Sequence, residues 1–180
     1  LLNSRMANGE KISSKIFLLN ELLKRIEFWR TLGDKIVFTN GCFDILHEGH
    51  IHLLETCQQF GSRVIVGLNA DSSVKELKGP SRPVNNQQSR ATLLAATQFT
   101  DAVVIFYELT PENIIHAIKP DVLVKGADYR REDVVGGDFV EGLGGRVHLA
   151  SLEAGMSTTK ALEKLQTGMD APPGKLSEAA

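Results

Sequence analysis

Apolar residues recur along the chain in two alternating rhythms. Short, nearly unbroken runs at 35–40 ("KIVFTN"), 63–69 ("RVIVGLN"), 101–106 ("DAVVIF"), 121–126 ("DVLVKG") and 146–151 ("RVHLAS") read as buried strands. Helical spacing occupies the intervals: 16–29 ("IFLLNELLKRIEFW"), stopped by Gly33, then 49–60 ("GHIHLLETCQQF"), stopped by Gly61, and 87–99. A helix over 110–118 opens with Thr110 as cap, Pro111 in its first turn and Glu112 near its positive end. Hydroxyl residues precede a last helix over 157–165. Residues 70–86 are polar and rich in Ser, Pro and Asn, and read as a long functional loop outside the core.

Strands alternating with helices, each strand apolar on both sides, predict an α/β fold. The expected form is a Rossmann-like, doubly wound, five-stranded parallel sheet with helices on both faces. Residues 1–34 are expected to form a leader and a helix packed on the domain, 35–165 the domain itself, and 166–180 a disordered tail. In such sheets ligands bind beyond the carboxyl ends of the strands. The polar stretches "GCFDILHEGH", "ADSSVKELKGPSRP", "GADYRRED" and "LEAGMSTT", which follow the first, second, fourth and fifth predicted strands, then share one edge.

Twenty basic and twenty-two acidic residues leave a formal net charge of −2, which gives no sign of a nucleic-acid or membrane-surface binder. Two cysteines, Cys42 and Cys57, are too few for a disulfide framework, and Cys57 fits a buried helical position. Cys42 with His47 and His50 makes a poor zinc set, so no metal site is assigned to the protein's own side chains. No apolar run is long enough for a bilayer, and "LLNSRMANGEKISSK" lacks the pattern of a signal peptide, so a cytoplasmic setting is expected.

The chemistry of the shared edge is that of anions. Gly41 and Gly49 allow tight turns and close approach, and a helix starting near Gly49 offers free amides and the positive end of its dipole. His47 and His50 can project to one point there and donate to phosphate oxygens, although histidines at a helix start are also ordinary caps. Lys75, Lys78 and Arg82 lie in the following polar segment, where a solvated charged loop is the plain alternative. Arg90 opens a helix where an acid is the usual choice. Ser157, Thr158 and Thr159 make either a simple cap cluster or a second anion site. There is no nucleophile–base pair and no Walker lysine motif. Asp44 alone is weak for acid–base work. Positioning and charge neutralisation of a polyphosphate fit better.

"TNGCFDILHEGH" (39–50) resembles the HxGH signature of the nucleotidyltransferase superfamily, and "GMSTT" (155–159) resembles its second signature, Ile-Ser-Thr-Thr. With "LNADSSVKELKG", "SRPVNNQQSR" and "LVKGADY", the chain is similar over about residues 10–165 to the adenylyltransferases of ADP-heptose synthesis. In that family the domain stands alone or is fused to a sugar kinase. The resemblance implies that His47 and His50 hold the phosphates and stabilise charge on the α-phosphate. Cys42, Phe43 and Gly49 would lie beside the nucleotide, and Lys125 and Asp128 would border base or ribose. Ser157, Thr158 and Thr159 would meet the outer phosphates. Lys78, with Lys75, would be the mobile-loop lysine, Arg90 the arginine opening the next helix, and Asp44 would face the sugar phosphate. ATP with Mg2+ and a sugar 1-phosphate are the implied reactants, and a homodimer is the implied assembly. Trp29 and its helix could build that interface or cover their own sheet.

One departure bears on the nucleotide. Cytidylyltransferases acting on glycerol 3-phosphate or phosphocholine carry Arg-Thr-Glu-Gly where this chain has Leu152, Glu153, Ala154 and Gly155, and Met156 replaces isoleucine. A cytidylyltransferase of a small alcohol phosphate therefore stands as the alternative, and a regulatory module without turnover as a third reading.

Overall fold

The structure, a computed structural model, describes residues 11–126 and 129–150. Its strands are β1 (Ile16–Phe17), β2 (Ile36–Gly41), β3 (Arg63–Asn69), β4 (Ala102–Phe106), β5 (Val122–Gly126) and β6 (Arg146–Ala150). Its helices are α1 (Leu19–Thr31), α2 (Glu48–Gln58), α3 (Asp71–Lys78), α4 (Gln87–Ala96), α5 (Glu112–Ile118) and α6 (Gly137–Gly142). The strands form one parallel sheet in the order β1-β4-β3-β2-β5-β6.

Both faces are covered, as the unbroken apolar strands require. Leu22, Ile26 and Trp29 of α1 and Ile114, Ile115 and Ile118 of α5 pack with Ile36, Phe38, Ile65 and Leu123 on one face. On the other, Leu54 of α2 and Ala91 and Leu94 of α4 pack with Val66, Leu68 and Val103, while Cys57 joins Val37, Val64, Val122 and Val124. Alternate residues of one strand thus serve opposite layers.

Four sequence expectations change. The sheet has six strands, because Ile16 and Phe17 pair with Val103 and Val104 as a short edge strand and do not begin the first helix. Leu18, extended at φ −72°, ψ 150°, separates the strand from α1. Two adjacent apolar residues fit either periodicity, and the open edge of β4 decided. Residues 71–78 are helical and bury Ser73 and Val74, so this part of the polar segment is not a loop outside the core. Asp71 at the start and Gly79 at the stop, at φ +96°, were the local signals for it. Finally, α5 begins at Glu112 with no side-chain cap, so Thr110 does not cap it. The short helix α6 had no periodic signal. The helix expected over 157–165 and the tail at 166–180 lie outside the described residues.

Trp29 is 6% exposed, stacks under the Arg63 guanidinium and belongs to the core beneath α1. The helix therefore spends its tryptophan on its own sheet. Trp29→Ala should cost about 3–5 kcal/mol, measured as a lower urea midpoint that does not depend on protein concentration.

Candidate active site

Strand order reverses between β2 and β5, the place where this architecture opens a crevice. Pairing there is brief: β2 meets β3 along all of Ile36–Gly41, but meets β5 only at Val37–Val122 and Phe38–Leu123. Beyond those pairs the two strands part. Across the gap Lys125 Nζ, nearly buried, donates to Asn40 Oδ1 at 2.7 Å and lies 4.8 Å from the centre of the Tyr129 ring. Gly67, opposite Asn40 in β3, permits this packing, because a Cβ would stand 2.6 Å from the Phe38 ring.

From β2 the chain turns through Cys42–Leu46 into α2. The left-handed residue in this turn is Phe43, at φ 44°, and not one of the glycines. Gly41 matters for close approach, since a Cβ there would meet the Phe43 ring at 3.2 Å. Gly49 lies in the first turn of α2. His47 occupies the N-cap position of α2, yet its side chain makes no capping bond. Its ring stacks on His50 instead, with centroids 3.8 Å apart and planes 23° apart, and Phe43 lies 5.0 Å from His50 on the other side. The pair is thus not spent on holding the helix end.

Both imidazoles are held neutral. Burial lowers the pKa of His47. That of His50 is pushed down to about 4, first by burial, then by the charges of His47 and Lys78, with the nearby Ile45 carbonyl pulling weakly the other way. Lys78, exposed at the end of α3, is therefore close enough to act on this pair. Burial also raises the Cys42 thiol, against the opposing charges of Lys78, Arg90 and Arg82. Three cations, Lys78, Arg90 and Arg82, thus act on one turn of chain.

Asp44 and Arg90 do something other than face a substrate. Asp44 is 1% exposed; its Oδ2 accepts from Arg82 Nε and its Oδ1 from the amides of Val84 and Asn85. Asn85 Nδ2 returns a bond to the Asp44 carbonyl. Arg90 is completely buried and donates to three acceptors: Asn85 O (2.9 Å), Cys42 O (2.5 Å) and Asp71 Oδ1 (2.7 Å). Its donors serve the protein, so it orders the edge from beneath and offers no surface to a phosphate. Arg82, read from the sequence only as one of three cations of the polar segment, was given no role there; in a Pro- and Ser-rich stretch it carried no spacing signal that would pair it with Asp44.

Among the described residues, the buried side-chain atoms without a hydrogen-bond partner are Thr39 Oγ1, His47 Nδ1, His50 Nδ1 and Arg82 Nη2. They lie on β2, at the start of α2, or on the segment packed against the turn between the two. The edge therefore brings together His47, His50, Cys42, Phe43, Lys78, Arg90 and Asp44, with Lys125 across the crevice. Lys75 is exposed one turn before Lys78 on α3. Asp128, Ser157, Thr158 and Thr159 lie outside the described residues. Of the other histidines, His52 lies 3.8 Å from Glu55, His116 packs on Phe139 and His148 on Phe60. Burial pushes the Cys57 thiol up to about 12, as its place in the core requires.

The depressed histidines have a consequence for stability. Between about pH 6.5 and about 4 the unfolded chain takes up a proton that native His50 refuses, so stability should fall as pH drops through that window. Thermal melts across the window should show this slope, and His50→Gln should flatten it. The His50 ring should titrate near pH 4 by NMR.

Residues 38–161 match the cytidylyltransferase-like family. The chain is 51% identical over 150 residues to "Bifunctional protein HldE" of Hyphomonas neptunium, covering 83% of this chain and 31% of that protein. It is 50% identical over 161 residues to the protein of that name from Caulobacter vibrioides, covering 89% of this chain and 33% of that one. The chain thus spans about a third of the length of these relatives. Among solved structures, the lipopolysaccharide core biosynthesis protein of Thermoplasma volcanium superposes with a TM-score of 0.57 at 26% identity, over 67% of this chain and 98% of that one. A pantoate-beta-alanine ligase from Francisella tularensis shares the fold, with a TM-score of 0.53 at 16% identity over 78% of this chain and 70% of that one. The six-stranded parallel sheet, the histidine pair at the start of α2 and the match over residues 38–161 agree: this chain belongs to the cytidylyltransferase-like family.

Proposed function

We propose that this chain is a nucleotidyltransferase that moves AMP from ATP to D-glycero-D-manno-heptose 1-phosphate, giving ADP-heptose and pyrophosphate for surface-sugar synthesis. The observation that carries the reading is the pair of neutral, stacked imidazoles at the positive end of α2, beside the Lys78 charge. Support for the substrate comes from about half identity to bifunctional HldE proteins over this region, and from a structural relative named for lipopolysaccharide core biosynthesis.

Oxygen of the acceptor phosphate, ionised at neutral pH, attacks the α-phosphorus. A new P–O bond forms, the bond from the α-phosphorus to the bridging oxygen breaks, and pyrophosphate leaves with that electron pair. No general base is needed. Because Nδ1 of each histidine is buried, Nε2 is the nitrogen left to meet phosphate oxygen. Neutral rings donate there without first losing a strongly held charge, and each gains proton affinity as negative charge develops. Lys78, with Lys75, offsets the charge of the departing phosphates. Lys125 borders the base or ribose, and Asp128, Ser157, Thr158 and Thr159 complete the nucleotide site. Asp44 and Arg90 act through the backbone they hold.

Mg2+ is proposed to arrive with ATP and to neutralise phosphate charge. Asp44, the carboxylate in the histidine turn, is poorly suited to hold it, because both of its oxygens are already engaged. A cytoplasmic homodimer completes the proposal. Leu18, Phe28 and Leu32, exposed at or beside α1, are available for such an interface. Among the described residues no helix is long and apolar enough to cross a membrane.

Pyrophosphate release measured with ATP or CTP, with and without the heptose phosphate, tests the reading. ATP with the heptose phosphate should be the productive pair; turnover with CTP and glycerol 3-phosphate alone would replace it by the cytidylyltransferase alternative. His47→Ala and His50→Ala should each lower kcat about 100-fold with the fold intact, the size of a lost transition-state contact.

A further inference from the structure

Lys78 is useful to a phosphate only where the end of α3 stands, and α3 is only eight residues long. A helix that short is fixed by what its two ends are attached to. At its start, Asp71 accepts from buried Arg90, and the Asp71 amide donates to Gln87 Oε1, which ties the helix to α4. At its end the chain reverses at Gly79, φ +96°, and the Arg82 amide donates to the Gly79 carbonyl. Four residues after Lys78, the Arg82 side chain drops against Asp44 in the histidine turn. The Val84 and Asn85 amides close on the same carboxylate.

A buried ion pair is weak grounds for stability, because desolvation consumes most of the attraction. Here the guanidinium is not even fully satisfied, since Nη2 is buried without a partner. Nor is Arg82 well placed to touch a substrate, its side chain being 11% exposed. What the pair does accomplish is to lock residues 79–86 onto the turn that carries the histidines.

We propose that Arg82 is a positioning residue: by closing on Asp44 it latches segment 79–86 to the histidine turn and so holds Lys78 at the phosphate site. The inference rests on the reading of Lys78 as a phosphate-neutralising group given above. It differs from the expectation of a mobile-loop lysine. The lysine ends a helix that is tied at both ends.

The test combines a double-mutant cycle with amide hydrogen exchange on the full chain. Arg82→Met should lower kcat about tenfold or more, and Arg82→Lys should recover part of it. Lys78→Met should cost much less in the Arg82→Met background than in the wild type, because an unlatched lysine has little left to lose. Exchange at the Val84 and Asn85 amides and in the last turn of α3 should quicken about tenfold, with α2 unchanged. If the two rate losses simply multiply, or if exchange over 76–86 is unaltered, the latch is refuted. Should Arg82→Met fold poorly, Asp44→Asn/Arg82→Met removes both charges while keeping an oxygen for the Val84 and Asn85 amides, and the same outcomes apply. A wild-type chain that releases no pyrophosphate would sink the functional reading, while the exchange data would still decide the latch.

Discussion

The Arg90 guanidinium has no contact with solvent and donates to three separate stretches of chain. A charge in that position is tolerated only when its donors are met and a counter-charge is near. Asp71 supplies the counter-charge from the start of α3, and the carbonyls of Cys42 and Asn85 supply the remaining acceptors. The turn after β2, the helix after β3 and the segment before α4 must therefore assemble around one side chain. Everything that gives the edge its chemistry, from the histidine turn to the lysine helix, is hung on that arrangement. Asp44 repeats the device with the charges reversed.

The sheet sets where this assembly stands. Parallel strands place every strand-to-helix turn at one edge, and strand order reverses there between β2 and β5, which pair over only two residues each. Short pairing of these two strands is what lets Asn40 and Lys125 face each other across the gap. The histidines stand on the α2 side and Lys125 on the α1/α5 side, so a ligand seated in the crevice is met from both.

Electrostatics at the edge is arranged by subtraction. Asp44 and Asp71 cancel Arg82 and Arg90; burial lowers the pKa of both histidines, and the nearby Lys78 charge adds to this at His50. What remains facing outward is lysine charge at the end of α3, near two imidazoles that burial keeps uncharged.

Several features were legible in the order of residues alone. Five apolar runs gave five strands within a residue or two at their ends, because a strand buried on both faces must be apolar throughout. The parallel sheet followed, and with it the edge at which His47, His50, Cys42, Phe43 and Lys78 meet. Periodicity could not separate Ile16–Phe17 from α1, and polarity hid α3, since an eight-residue helix shows one buried turn at most. Asp44 and Arg90 were readable as charged residues near an anion-binding edge, but not as clamps, and Arg82 was readable only as one more cation of a polar segment. Composition and spacing report which groups a chain carries and on which edge they fall. Which carboxylate neutralises which guanidinium depends on contacts between residues 38 or 48 positions apart, such as Asp44 with Arg82 and Cys42 with Arg90, and only the folded chain decides those.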